Sequence, residues 1–421
     1  MTKYLKTQAR WPRIGVVLVV TLIACAAVIS RRQDAFTNAQ FWAEDGSKWF
    51  VDAYRNGPLG ALDLSFMGYF QTVSRLGPVA AAPFGVVYAP LIYNIVGLIV
   101  QIAPVPYFLS SRFDSVVPSF TARLAVCAVY ILMPSTELNV DVTTAPFHLV
   151  VLAFLVIVAA EPKHWYSKAF DIVIVALCGL SGPFAYLLAP IALLWLIVRR
   201  RRFTAVLLAV LVATIPIQLS AVLTSPRFHE TLGASLHNLV LIGADRVILA
   251  GFFAEEGGTH VVLAGSPHGT LLSGLLCVLA IPLIVFAAMR APYELRLFGL
   301  LALGVLISGL AAPLISNTGN AWGIMAVTSA GERYFLLAQI AVVVTFLWAA
   351  SRLSRQWMKA SAWGLAGVAF AFGLINAWAY PPFTNYHWTQ EARAITTSPP
   401  GTRLALPIPP GGGWAIDITA R

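Results

Sequence analysis

Long uncharged runs follow one another along nearly the whole chain, separated by short polar punctuation. Eight runs are long and apolar enough to predict membrane-crossing helices: 14–30, 86–110, 145–160, 204–223, 271–289, 297–315, 335–351 and 360–379. Residues 116–134 carry Arg123 near their start, so only their second half is strongly apolar, and a short tilted crossing is expected there. Residues 172–198 are too long for one ordinary helix and are interrupted by Ser181-Gly182-Pro183. Two short crossings joined at Ser-Gly-Pro fit better. Together these runs predict an all-α, polytopic bundle of about eleven transmembrane helices.

Basic residues check the count. Arg112, Lys163, Lys168, the run from Arg199 to Arg202, Arg290, Arg296, Arg352, Arg355 and Lys359 all fall on one side of such a bundle, the cytoplasmic one. Residues 31–70, the 134–146 turn, the long segment 225–269, the 316–331 loop and the C-terminal tail fall outside. This parity requires that 71–85 does not cross. That stretch is amphipathic at its start and broken at Pro78 and Pro83, which predicts a helix lying at the outer interface. Lys3, Lys6, Arg10 and Arg13 precede the first run and Arg31-Arg32 follow it, with no convincing cleavage site, so an uncleaved signal anchor with a cytoplasmic N-terminus is expected.

Composition agrees with the pattern. Apolar residues make up 58% and charged residues 11%, against about a quarter charged in soluble domains, which excludes a string of soluble domains. The net charge of +10 sits in short clusters between apolar runs, so nucleic-acid binding is rejected. Cys25, Cys127, Cys178 and Cys277 lie in apolar stretches without metal-ligand spacing and are expected to be buried small hydrophobes. No repeat, Walker loop, dinucleotide fingerprint or zinc motif is present. The expected organisation is an N-terminal transmembrane module over 1–223, with its first external loop at 31–85. C-terminal helices over 224–379 follow, and then an external Pro/Gly-rich tail over 380–421, packed partly on the loops through Trp388 and Trp414.

Candidate chemistry begins at Phe41-Trp42-Ala43-Glu44-Asp45-Gly46, just after the first apolar run. Either carboxylate can take a proton from an acceptor hydroxyl or hold a cation, and the bland alternative is an acidic pair on a solvated loop. Asp45 is assigned as general base and Glu44 as its helper, because the permissive Gly46 allows a turn that pushes Asp45 toward a cavity. Gly68-Tyr69 and Arg75 follow on the interfacial stretch, and Arg75 either meets substrate or snorkels to headgroups. Asn139, Asp141, Thr143 and Thr144 precede Pro146-Phe147-His148 at a helix mouth, where His148 is either structural or a substrate contact. Gly331-Glu332-Arg333-Tyr334-Phe335 occupies another mouth. Glu332 and Arg333 are adjacent and need not pair, which leaves Arg333 free to point at an external ligand. Such groups suit a lipid-linked sugar phosphate: cations for the phosphate, aromatics for the sugar, a base for the attacking hydroxyl.

The arrangement resembles the GT-C superfamily of polytopic glycosyltransferases. More narrowly, it is similar to poorly characterised bacterial multipass proteins with an AEDG pattern, a GY with downstream Arg, a polar-to-His helix mouth, a late RYF and a Pro-rich segment before a C-terminal Trp. Here these are Ala43 to Gly46, Gly68-Tyr69 with Arg75, Asn139 to His148, Arg333 to Phe335, and Leu406 to Trp414. That pattern often has Trp before the helix-mouth His, whereas Pro146-Phe147 precede His148 here.

The resemblance implies a membrane glycosyltransferase of the bacterial inner membrane. It would move a sugar from a polyprenyl-phosphate donor to an envelope glycan, lipid or protein acceptor on the non-cytoplasmic side, by an inverting single displacement. It implies catalytic Asp45 and Glu44, and substrate contacts at Tyr69, Arg75, Asn139, His148, Arg333 and Tyr334. A divalent cation is the candidate cofactor. A transporter or flippase of lipid-linked sugars is the competing reading. It predicts ionisable residues through the bilayer midplane and internal pseudo-symmetry.

Overall fold

A computed structural model describes residues 10–225, 231–253, 266–315 and 319–421. Lys3 and Lys6, with 226–230, 254–265 and 316–318 of the outer segments, lie outside the described residues. The protein is a predominantly helical membrane protein. Among the described residues seven helices are long and apolar enough to cross a bilayer: Arg13–Arg31, Val86–Leu109, Arg202–Thr224, Leu236–Phe253, Gly269–Arg290, Tyr293–Ala311 and Gln356–Asn376. Shorter apolar helices span Phe120–Leu132, Ala145–Val158, Phe184–Arg199 and Leu336–Ser351. The lipid-facing character is visible in Gly269–Arg290, which buries only Gly269 and Ser273. It exposes Leu271, Leu275, Val278, Leu279 and Ile284 instead. A face this apolar needs a hydrocarbon solvent.

Three readings of the sequence change. The segment 225–269, expected as an outer loop, contains Leu236–Phe253, a helix apolar enough to cross. Its apolar signal is interrupted by the adjacent charges Asp245 and Arg246, which is why it looked like loop. Pro78 does not break the interfacial helix: Thr72–Ala81 runs through it, and the turn comes at Ala82–Phe84. Ten residues are too few to span a bilayer, so this helix does not cross. Of the cysteines, Cys127 and Cys178 are buried but Cys25 and Cys277 are only partly so. The split of the 172–198 run is as expected, into Trp165–Gly179 and Phe184–Arg199, with Gly182 at positive φ between them.

The chain forms two compact units. One comprises Met1–Ser115, Asn139–Pro226 and Ala379–Arg421; the other comprises Val116–Leu138 and Arg227–Trp378. In the first unit the C-terminal segment is far more than a tail. Trp388–Thr397 is a helix, and strands Arg403–Pro407 and Ala415–Thr419 pair antiparallel across the Pro/Gly turn. Leu406, Ile408, Ile416 and Ile418 face inward onto Phe41, Trp49, Phe50, Tyr93 and Trp388 in one core. Each such aliphatic side chain contributes ~1.5–3 kcal/mol when fully buried. Trp388 packs edge-on to Phe41 at 4.8 Å and donates its indole N–H to the Val87 carbonyl at 3.1 Å. Trp414 packs on the same core while only partly buried.

In the second unit, Leu336–Ser351 is buried along much of its length and packs against Tyr293–Ala311, Phe120–Leu132 and the Ile242–Leu249 turn. The helix Phe120–Leu132 buries Arg123, whose guanidinium lies 5.3 Å from the Phe120 ring centre.

Candidate functional site

The acidic motif opens a wide helical turn, Asp45–Phe50, that continues as Val51–Asn56. Asp45, Trp49 and Asp52 stand at i, i+4 and i+7, hence on one face. All three are buried. Across from them, the loop before the Ala145–Val158 helix presents Asp141, Thr143 and Thr144. The Asp45 carboxylate is held from one side only. Its Oδ1 accepts the Thr143 backbone N–H at 3.1 Å and the Thr143 hydroxyl at 2.6 Å. That hydroxyl accepts the Trp49 indole N–H at 2.8 Å. Asp45 Oδ2 is buried and has no hydrogen-bond partner.

Burial, and next the neighbouring Asp141 carboxylate, hold the Asp45 carboxyl well above the ordinary carboxylate range, although the Thr143 bonds pull it down. Burial likewise lifts Asp141 to about 6 against two bonds from Thr144. Asp141 Oδ1 accepts the Thr144 N–H at 2.7 Å, and its Oδ2 accepts the Thr144 hydroxyl at 2.6 Å. Glu44 is half-buried and adds repulsion to both acids.

Arg75 neither snorkels nor reaches outward. It is fully buried on the Thr72–Ala81 helix, donates to Asp52 at 2.9 Å and lies over the Trp49 ring at 4.9 Å. Lys48 completes the Asp52 pairing at 3.0 Å. Arg75 Nε and Nη1 remain without hydrogen-bond partners, as does the Tyr93 hydroxyl. The site thus holds one cation fixed by one nitrogen, with further N–H groups unspent.

The motif glycine works differently from the sequence expectation. Gly46 is helical, and the left-handed residue is Ala43, at φ 40°. A Cβ on Gly46 would lie 2.7 Å from Ile408 Cδ1, 2.8 Å from Phe41 Cβ and 3.2 Å from Ile416 Cδ1. Gly46 therefore admits the C-terminal hairpin. Gly97 serves the opposite wall, where a Cβ would strike the Asp141 backbone at 2.8 Å.

Asn139 and His148 are buried in this same unit. Asn139 Oδ1 accepts from Gln101 at 3.5 Å, and its amide nitrogen has no hydrogen-bond partner. Tyr69 is half-buried in a two-residue strand, Tyr69–Phe70, paired with Ser65–Phe66. Arg333 and Tyr334 belong to the second unit. Arg333 is not free: it pairs with Glu137, donates to the Leu314 carbonyl and lies over the Tyr334 ring at 5.0 Å. The Tyr334 hydroxyl accepts the Leu314 N–H at 2.9 Å. Glu332 accepts the Glu137 N–H at 3.2 Å and lies 3.7 Å from Arg246. Adjacency ruled out only a Glu332–Arg333 pair, and a partner from a distant segment was not visible in the sequence.

Asp141 and Thr143 stood out in the sequence as part of the polar helix mouth, whereas Trp49, Asp52 and Tyr93 did not. The i, i+4, i+7 spacing from Asp45 could have found Trp49 and Asp52. Tyr93 sits inside an apolar run and gave no signal. Among the described residues no group of three or more His, Cys, Asp or Glu is arranged to hold a metal ion. Comparison with protein-family models, curated proteins and solved structures finds no match to this chain.

Proposed function

We infer that the protein is a glycosyltransferase of the bacterial inner membrane. It acts on the non-cytoplasmic side, with a cytoplasmic N-terminus and an external C-terminus. The donor is a polyprenyl-phosphate sugar, and the acceptor a hydroxyl of an envelope glycan, lipid or protein. The observation that carries this reading is the Asp45 carboxyl: one oxygen fixed by Thr143, the other buried and unpartnered. A base held in this way needs no reorganisation when it accepts a proton.

In the reaction, Asp45 Oδ2 takes the proton of the acceptor hydroxyl as the hydroxyl oxygen attacks the anomeric carbon. The bond from that carbon to the phosphate oxygen breaks, and the lipid phosphate leaves with its electron pair. The free N–H groups of Arg75 neutralise the leaving phosphate. Glu44 orients the acceptor, and Tyr69, Asn139 and His148 contact sugar or acceptor. Displacement of the side chains that cover Asp45 is part of substrate entry.

The test is transfer by purified protein from a polyprenyl-phosphate sugar, with Asp45→Asn as comparison. Asp45→Asn should cut turnover roughly 10²–10⁴-fold while donor binding persists. Full activity in Asp45→Asn would remove Asp45 as the base. A flippase reading is favoured by one observation, the charges Asp245 and Arg246 buried in a helix able to cross the membrane. Lipid-linked sugar movement in proteoliposomes without transfer would establish it instead.

A further inference from the structure

A second polar system lies in the other unit. Residues Ile242–Leu249 form a π-helical stretch within the span-capable helix Leu236–Phe253. Such widened turns concentrate at functional positions. Asp245 lies on this stretch with no exposed surface, and neither carboxylate oxygen has a hydrogen-bond partner. Its neighbour Arg246 is committed elsewhere, toward Glu332 at 3.7 Å and over the Phe335 ring at 5.3 Å.

The helix Gly269–Arg290 packs along this stretch. Thr270, Ser273 and Cys277 interrupt its otherwise apolar sequence at i, i+3 and i+7, and so share one face. The two ends of that face are fixed by contacts. The Thr270 hydroxyl and His237 Nδ1 are 2.7 Å apart at an exposed position. The Cys277 thiol donates to the Val240 carbonyl at 3.7 Å, and its sulfur lies 3.1 Å from where a Gly243 Cβ would stand. Between them Ser273 is fully buried, with a hydroxyl that has no hydrogen-bond partner. This face therefore runs from a surface His–Thr pair to Cys277, whose thiol is close enough to Asp245 for the two to interact electrostatically.

We propose that Asp245 is a proton-binding site inside the membrane part of this unit, exchanging with water at His237 and Thr270 along the Ser273–Cys277 face. A buried carboxylate with no donor requires a bound cation. A metal ion takes several oxygen ligands, whereas a proton needs only the carboxylate itself, and the proton is the cation this lone carboxyl suits. Uptake converts the carboxylate and one proton from water into the neutral acid, and release reverses it.

The titratable or charged groups on the elements around Asp245 are Arg246 on its own turn, His237 on Leu236–Leu241, and Cys277 with the distant Arg290 on Gly269–Arg290. Glu332 approaches through Arg246. The packed segments Ala250–Phe253, Ala321–Val327 and Leu336–Ser351 carry none.

Dicyclohexylcarbodiimide, which adds to protonated carboxyls in apolar surroundings, tests this on the full chain in liposomes with peptide mapping. An adduct at Asp245 whose yield falls several-fold from acid to alkaline pH, with no protection by sodium, is expected. The Asp245→Asn protein should lose that adduct, and the wild-type pH profile decides even if this variant misfolds. Ser273→Val should slow the response of labelling to a pH jump several-fold without changing its final extent. No adduct at Asp245, a yield independent of pH, or protection by sodium would overturn the site. An unchanged response in Ser273→Val would overturn the route.

Discussion

Replacing Asp141 with Asn removes one charge from the acidic site while keeping its hydrogen bonds. Oδ1 still accepts the Thr144 N–H at 2.7 Å, and an amide nitrogen in place of Oδ2 can donate to the Thr144 hydroxyl 2.6 Å away. Burial is the chief reason that the Asp141 carboxyl rises from an ordinary 3.8 to about 6. The folded state therefore holds its proton at pH values where the unfolded chain has released it. Stability from this group is fully present at acid pH and is lost as pH rises through about 6. At roughly 1.4 kcal/mol per pH unit of displacement, the loss in the wild type is on the order of 3 kcal/mol above that value.

Asp141→Asn should regain about 3 kcal/mol at pH 8 and less than about 1 kcal/mol at pH 4. Asp45 acts in the same direction, because removal of Asp141 relieves part of its repulsion. Hydrogen-exchange protection of residues 41–54 in detergent, corrected for intrinsic rates, reads the effect locally. Wild-type protection that is flat or rises from pH 4 to pH 8 would refute the reasoning, as would an Asp141→Asn protein no better protected at pH 8.

Gly46→Ala should destabilise the first unit by roughly 1–3 kcal/mol, seen in the same exchange assay. Ile408→Ala should recover only part of that, because Phe41 Cβ still stands 2.8 Å from the added methyl. Arg75→Lys should weaken donor binding more than folding, since a lysine ammonium can keep the single bond to Asp52 but has no separate guanidinium N–H groups to offer a phosphate. Unchanged donor affinity would confine Arg75 to holding Asp52 and Trp49. A cysteine placed at Ser47 should react with an impermeant reagent from outside, and one at Ser167 should not; the reverse pattern rejects the orientation.

The membrane character and most helix positions were legible because uncharged runs of bilayer length leave few alternatives. Leu236–Phe253 was not, because Asp245 and Arg246 lower its apolarity and lie close to residues of loop-like composition. The C-terminal hairpin carried a signal that the proline and glycine obscured. Leu404, Leu406 and Ile408 alternate before Pro409, and Ile416 and Ile418 alternate after Gly413, the period expected of two half-buried strands. Asp45 stood out as an acidic island beside an apolar run. Its partner Thr143 is set by tertiary packing, and no spacing in the sequence encodes that.

Backbone strain connects these elements to the chemistry. Ala43 at φ 40° and Val140 at φ 68° precede the two acids by two residues and one residue, and each costs of order 1–3 kcal/mol. A β-branched residue in that region is a marked outlier. Such conformations persist only where surrounding contacts over-determine them. The Ala43 N–H is held by the Pro409 carbonyl at 2.8 Å, and the Val140 N–H by the Gln101 side chain at 3.1 Å. One clamp comes from the C-terminal hairpin and the other from the Ala89–Ile102 helix. The carboxyl pair is thus locked from two distant parts of the chain. On the proposed mechanism, a site of two repelling acids held in this way stays assembled without substrate and meets the acceptor hydroxyl with its acids already in place.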